Sequence, residues 1–291
     1  MLGFEKPTHE EWLEKINKDL KDKKAIEDLD YVVDNIKFSN FILNNGSTQI
    51  QPLEGFLSKS TIMCFGDNTE DKNKNALQSL EWGVESLAFE VSSDEDMVQL
   101  FDGIYLNMVD VLCYLDKKTD NVKDYNLRGK NIYILEKESP SYLCLNEEET
   151  ITERIQKFKK HIDSTEVETL FLDVYLKEEF LPQIAELRAI RRLWALVKNQ
   201  GKLHVITHIP NRVIKNEDIH PLIVCNYLIM SARIGMADFV MGLPYNSDPE
   251  LTRLSINIQH VLTEESRFSE VLDPTAGSYL IEEMTEMFVN L

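Results

Sequence analysis

The sequence predicts an α/β protein: a (β/α)8 TIM barrel preceded by an N-terminal helical arm. Three observations carry this. From about residue 61, short β-rich runs alternate with helical patterns, the signature of a parallel sheet with crossover helices. Eight such runs can be counted, the number a closed barrel needs. The length of 291 residues fits a barrel of ~250 residues plus one further segment. The same alternation also fits a doubly wound open sheet, the alternative architecture. The boundary is placed so that residues 1–49 form the arm and linker and residues 50–291 the barrel.

Taken in order, residues 7–24 read as a helix with its own start signal, because Thr8 stands three positions before Glu11 as in a capping box. Trp12, Ile16 and Leu20 then share one face, and the charged stretch 21–30 follows. A stripe of that kind belongs against another surface rather than in the barrel core. The eight runs read as strands are 61–65, 86–91, 103–108, 131–135, 142–145, 169–174, 202–207 and 237–241. Among the helices between them, 180–199 is the clearest, with Ile184, Leu187, Ile190, Trp194 and Val197 recurring every three or four residues. Residues 117–130, rich in charge, read as a surface loop.

The net charge of −19 repels phosphate backbones and anionic lipid heads, which sets nucleic acid and membrane surfaces aside as partners. No apolar run reaches the ~18 residues of a membrane helix, and the N-terminus lacks the apolar core of a signal peptide. Cys64, Cys113, Cys144 and Cys225 lie far apart in apolar runs, as buried reduced thiols do, so neither disulfides nor a zinc site is expected and a cytoplasmic location is. The glycine-rich phosphate-binding patterns and the GxSxG elbow are missing, which removes support for nucleotide chemistry and for nucleophile-elbow hydrolysis.

His204 and His208 have the spacing of a zinc-binding helix, but the β-branched residues between them and Ile209-Pro210 after them favour a strand. In a strand both imidazoles still face one side, and His208 stands near the C-terminal mouth, where barrels build their sites. Arg188, Arg191 and Arg192 cluster on one helix, and ion pairing is the ordinary use of such a cluster. Toward the C-terminus Asp273-Pro274 sets a turn, Gly277 permits a positive φ, and Ser278 is placed to cap the next helix.

These C-terminal residues give the chain a resemblance to the barrel domain of the adenosylcobalamin-dependent methylmalonyl-CoA mutase family. Arg253-Leu254-Ser255-Ile256-Asn257, Glu264-Glu265-Ser266 and the run from Asp273 to Tyr279 are similar to that family's RLARN, EES and DPxGGSY stretches. Ile184 to Ala195 looks like its IAKxRAxRxLWA helix, Gly235-Met236-Ala237-Asp238 like its GGAD turn, and Thr207-His208 like the start of its THxQTSG segment. Phe4, Pro7, Glu11-Trp12 and Asp19-Leu20-Lys21 resemble the arm that precedes the family's barrels.

The departures bear on function. The family's YHxxExGA segment, whose histidine lies beside the reacting acyl group, has no counterpart around residues 139–152. Ile209-Pro210-Asn211-Arg212 replaces the Gln-Thr-Ser-Gly that follows Thr-His. Asp218-Ile219-His220-Pro221-Leu222-Ile223 has part of the DxHxxG spacing of cobalamin domains, but Ile223 replaces the glycine, and Asp218 as a helix N-cap with Pro221 in the first turn explains it. The family's cobalamin domain follows the barrel and needs well over a hundred further residues, and the sequence stops at Leu291.

The resemblance therefore implies a small, non-catalytic (beta) subunit of a heterodimeric mutase, an isomerase of propionate metabolism that interconverts methylmalonyl-CoA and succinyl-CoA. Its partner would be a catalytic large subunit, and adenosylcobalamin would sit in the complex and not on this chain. His208 and Thr207 are the residues it offers for substrate binding. Phe4, Pro7, Trp12, Ile16 and Leu20 are the ones it offers to the partner. No residue is assigned a catalytic, cofactor-binding or metal-ligating role. The alternative is an independent acyl-CoA-binding barrel, or an isomerase subunit that uses a separate cobalamin-binding chain.

Overall fold

In a computed structural model the described residues are 8–21, 23–39, 58–92, 95–115, 131–198, 201–214, 220–243, 249–268, 270–271 and 273–291. The chain divides into two compact units, Met1–Gln49 and Ile50–Leu291. The charged stretch 117–130, together with Phe4, Pro7 and Asp218, lies outside the described residues.

In the first unit, helix α1 (His9–Leu20) starts at Thr8 through the expected reciprocal bonds: the Thr8 amide donates to Glu11 Oε2 at 2.8 Å, and the Glu11 amide to Thr8 Oγ1 at 3.2 Å. Trp12, Ile16 and Leu20 share a half-buried face, and no residue of α1 is fully buried. A hairpin follows that the sequence reading did not include. Strands β1 (Tyr31–Val33) and β2 (Ile36–Phe38) pair antiparallel around Asp34-Asn35, whose φ values of 49° and 67° are those of a tight two-residue turn. Val33 and Phe38 are its buried residues.

In the second unit, eight parallel strands form the barrel: β3 (Lys59–Met63), β4 (Ser86–Val91), β5 (Asp110–Leu115), β6 (Ile132–Glu136), β7 (Tyr142–Leu145), β8 (Thr169–Tyr175), β9 (Lys202–His208) and β10 (Phe239–Met241). Neighbours follow chain order, and β10 pairs with β3, so the sheet curls round on itself into a nearly closed (β/α)8 barrel. The helices are α2 (Thr69–Glu81), α3 (Met97–Leu100), α4 (Ile151–Ser164), α5 (Phe180–Val197), α6 (Asn211–Ile214), α7 (Pro221–Ile234), α8 (Pro249–His260) and α9 (Tyr279–Asn290). None of these helices is long and apolar enough to cross a membrane.

Among the described residues no ladder joins β6 to β7, and residues 137–141 connect them without a helix. Side chains span this seam. The rings of Tyr114 (β5) and Tyr142 (β7) lie 6.4 Å apart, and those of Tyr133 (β6) and Phe171 (β8) 6.0 Å apart.

Three local expectations need correction. The third strand is Asp110–Leu115 and not 103–108. Residues 103–106 alternate as a strand would, with Tyr105 73% exposed between buried Ile104 and Leu106, yet Gly103 has φ +72°, Met108 breaks the pattern by being exposed, and its amide returns to the Tyr105 carbonyl. The true strand is buried along its whole length, so it shows no alternation at all. The N-cap of α7 is His220, whose Nδ1 accepts from the Leu222 amide at 3.3 Å, with Pro221 in the first turn as expected. Ser278 does occupy the N-cap of α9, but its hydroxyl makes no capping bond.

Candidate functional site

Side-chain alternation sends Phe171 and Asp173 of β8 and His204, Ile206 and His208 of β9 to the barrel interior. The register sets Asp173 beside Ile206 and Tyr175 beside His208, so Asp173 and His208 meet near the C-terminal mouth. Asp173 is buried and accepts from two phenols: Tyr114 OH at 3.0 Å on Oδ1 and Tyr142 OH at 2.7 Å on Oδ2. His208 Nε2 stands 3.2 Å from Asp173 Oδ1 but lacks the alignment of a hydrogen bond and is otherwise unpartnered. The Tyr175 ring stacks on the imidazole at 5.0 Å. Burial, with the Asp173 charge adding to it, pushes the Tyr114 and Tyr142 hydroxyls well above the ordinary phenol range, so both remain proton donors. Tyr175 is raised for the same first reason.

Of the two residues offered for substrate binding, only His208 reaches this cluster. Thr207, one position earlier, faces the opposite side of the strand, fully buried, and donates to the Phe239 carbonyl at 3.3 Å. Asp173, Tyr114 and Tyr142 were missed. The available signal was the aspartate in the middle of Thr169-Leu170-Phe171-Leu172-Asp173-Val174-Tyr175, since a charge inside a parallel strand demands partners.

Deeper in the bore, four rings fill the axis. Tyr133 of β6 lies 5.2 Å from His204, 5.6 Å from Phe239 and 6.0 Å from Phe171, and Phe171 stacks on His204 at 5.1 Å. In the ring of eight, β6 and β10 stand opposite each other, so the Tyr133–Phe239 contact crosses the full width of the barrel. Burial holds the His204 imidazole below its ordinary pKa, which suits an aromatic filler.

The motifs most specific in the sequence bond to one another outside the bore. Arg188 of α5 is fully buried; its Nη1 contacts both carboxylate oxygens of Asp273 and reaches Thr275 Oγ1 at 3.1 Å, and its Nη2 donates to Glu282 Oε1 at 2.8 Å. Gly277, at φ +83°, donates its amide to the same Glu282 oxygen at 3.2 Å. Arg191 pairs with Asp238 at 2.8 Å and donates to the Met236 and Leu203 carbonyls. Arg192 reaches Glu286 at 3.4 Å. Gly235 lies so close to Leu187 that an added Cβ would come within 2.5 Å of that side chain. The helix motif, the glycine turn and the C-terminal segment are thus one packing unit, and the cluster does serve ion pairing.

All four cysteines are free. Burial pushes Cys113 up to about 12 and raises Cys64 and Cys225 as well; Cys144 is pushed up to about 11 by burial and then by the Asp173 charge. At pH 8 only about one Cys144 thiol in a thousand is then thiolate. Native protein should accordingly react with a maleimide slowly and at Cys144 alone, with the other three modified only after unfolding, as counted by intact mass. Rapid labelling of Cys64, Cys113 or Cys225 in native protein would contradict their burial.

An eight-stranded α/β barrel with a filled bore and an internally bonded polar mouth is the class of protein that fold and site define. The family description "Methylmalonyl-CoA mutase" matches residues 233–290. The methylmalonyl-CoA mutase small subunit of Porphyromonas gingivalis is 34% identical over 122 residues, which covers 36% of this chain and 20% of that protein. The small subunit of Streptomyces virginiae is 30% identical over 122 residues, covering 38% and 20%. A methylmalonyl-CoA mutase of Cereibacter sphaeroides is 31% identical over 123 residues, covering 36% and 17%. The chain spans about 20% of the length of the curated small subunits it matches. Its resemblance is to the methylmalonyl-CoA mutase family, and to the small subunits within it.

Proposed function

We propose that the chain is a small-subunit-like component of a methylmalonyl-CoA mutase, non-catalytic itself, that supports a catalytic large subunit in a heterodimer. The observation that carries this reading is the ring contact across the bore between Tyr133 and Phe239. A substrate threaded along the axis would have to displace it. The resemblance rests on residues that pack α5 against the glycine turn and the C-terminal segment, and these can persist after a reaction is lost.

The one described segment with part of a cobalamin-domain spacing is taken up by helix capping. His220, which has part of the spacing of a cobalt ligand, uses Nδ1 to cap α7 and is followed by Pro221, and Ile223 stands where close approach to a corrin needs glycine. The cofactor, the acyl-CoA substrate and the isomerisation are therefore assigned to the partner. Phe4, Pro7, Trp12, Ile16 and Leu20 are the surface this reading gives to that partner, and a cytoplasmic location belongs to the same reading.

The test is affinity capture of the tagged chain from its native host, with mass spectrometry of what co-purifies. A large mutase subunit in about equimolar amount is expected, and the pair Trp12→Ala with Ile16→Asp should weaken capture while the barrel's melting temperature is nearly unchanged. The purified chain should neither bind methylmalonyl-CoA by calorimetry nor turn it over when cofactor is supplied. Capture without any mutase subunit would overturn the partnership. Micromolar acyl-CoA binding by the isolated chain would favour the independent acyl-CoA barrel instead.

A further inference from the structure

On the rim of the barrel, three cations from three elements converge on two consecutive residues, Asn146 and Glu147, just past β7. Arg154 of α4 is fully buried; its Nε donates to the Asn146 carbonyl at 2.9 Å and its Nη2 to the Tyr175 carbonyl at 2.8 Å. Lys177, two residues past the end of β8, donates through Nζ to the Glu147 carbonyl at 3.1 Å. Arg212 of α6 reaches Glu147 Oε2 at 3.4 Å and Glu178 Oε1 at 3.3 Å. Both arginines have a carboxylate, since Arg154 also faces Glu186 at 3.4 Å. Among the described residues no carboxylate forms an ion pair with Lys177.

That placement sets the chemistry of the amine. A half-buried ammonium with like charges beside it gives up its proton more readily than one in water. Burial first, then the Arg154 charge and more weakly that of Arg212, hold Lys177 below the ordinary lysine range. Glu186 of α5 and Glu179 just before that helix act the other way, but Glu186 is itself engaged by Arg154 and by Gln183 at 2.8 Å. A neutral amine is a nucleophile, and neighbouring guanidinium groups favour a product that carries negative charge. CO2 meets both conditions and is small enough to reach a half-buried amine without a preformed pocket. The Nζ lone pair attacks its carbon, one C=O π pair moves onto oxygen, and the nitrogen releases a proton to water. Amine plus CO2 thus gives carbamate plus H+, and the N–H that remains can keep the bond to the Glu147 carbonyl.

We propose that Lys177 is a carbamylation site for CO2, its carbamate paired with Arg212 and backed by the buried charge of Arg154. Uptake turns an unpaired cation into an anion that ties the loop after β8 to α6. The site lies on the rim and calls for neither acyl-CoA nor a partner chain, so it stands apart from the partnership proposed above.

The test incubates the full chain at about pH 8 with isotopically labelled CO2 in equilibrium with bicarbonate. Carbamates are then trapped by ethylation with triethyloxonium tetrafluoroborate, and the labelled peptides are mapped by mass spectrometry. The α-amino terminus, an amine of ordinarily low pKa, is the positive control for trapping. Lys177 should carry more label than any exposed lysine, the label should saturate as CO2 rises, and at fixed dissolved CO2 it should increase with pH. The Arg212 side chain is 43% exposed, so Arg212→Gln should leave the melting temperature nearly unchanged. It should lower the label at Lys177 by about threefold, the change that half a pKa unit produces, and Arg212→Lys should restore part of it. Lys177→Arg should remove one adduct from the intact mass. No label at Lys177, no more label there than at exposed lysines, or unchanged label in Arg212→Gln would overturn the proposal.

Discussion

Replacing Arg188 with Met is expected to lower the unfolding free energy of the barrel by about 3–5 kcal/mol, read from urea titrations. The guanidinium is fully buried and serves Asp273, Thr275 and Glu282 at once, so methionine keeps much of the volume and leaves two buried carboxylates with their cation gone. Glu282 keeps the Gly277 amide but gains little charge from elsewhere, because Arg192 approaches its second oxygen only to 4.0 Å. Adding Asp273→Asn and Glu282→Gln to Arg188→Met should recover most of the loss, since the penalty lies in the uncompensated charges more than in the missing pair. Arg253 provides the contrast within another family-like stretch. It pairs with Glu250 at 2.6 Å on an exposed surface, and Arg253→Ala should cost less than about 1 kcal/mol. A loss below about 1 kcal/mol for Arg188→Met would mean the network is not structural.

What the sequence made legible follows from how far each interaction reaches along the chain. Thr8 and Glu11 are three residues apart, and their capping box could be read directly. The β/α alternation is likewise local, and it sufficed for the barrel. Strand β5 was misplaced because it is buried on both faces, and the turn before it imitates a half-buried strand. The hairpin turn at Asp34-Asn35 rests on two residues that tolerate positive φ, a weaker signal than a glycine would give. The mouth cluster has no spacing to find. Tyr114 and Tyr142 precede Asp173 by 59 and 31 residues, and only the curl of the sheet brings them together. The arginine cluster was visible, but its partners lie up to 94 residues away, so ion pairing could be expected and the carboxylates could not be named.

The filled bore makes the second strong expectation. Phe239 is almost fully buried on β10, with its ring 5.6 Å from Tyr133 and 6.3 Å from His204, so its atoms sit where the axis would otherwise be open. Phe239→Ala removes that ring and should cost about 3–5 kcal/mol, the lost transfer free energy plus the cavity left behind. The bond from Thr207 to the Phe239 carbonyl uses the backbone and survives the substitution, so the loss reports packing and not β9–β10 pairing. For a unit of this size, a change of that order lowers the melting temperature by on the order of 10 °C. A dry apolar cavity should also take up a small apolar guest, so benzene should raise the variant's melting temperature saturably while leaving the parent's unchanged. The two readings together separate a packed axis from an open one. If Phe239→Ala costs less than about 1 kcal/mol and benzene has no differential effect, the ring was not filling the bore. The observation that sets this barrel apart from a substrate channel would then be lost.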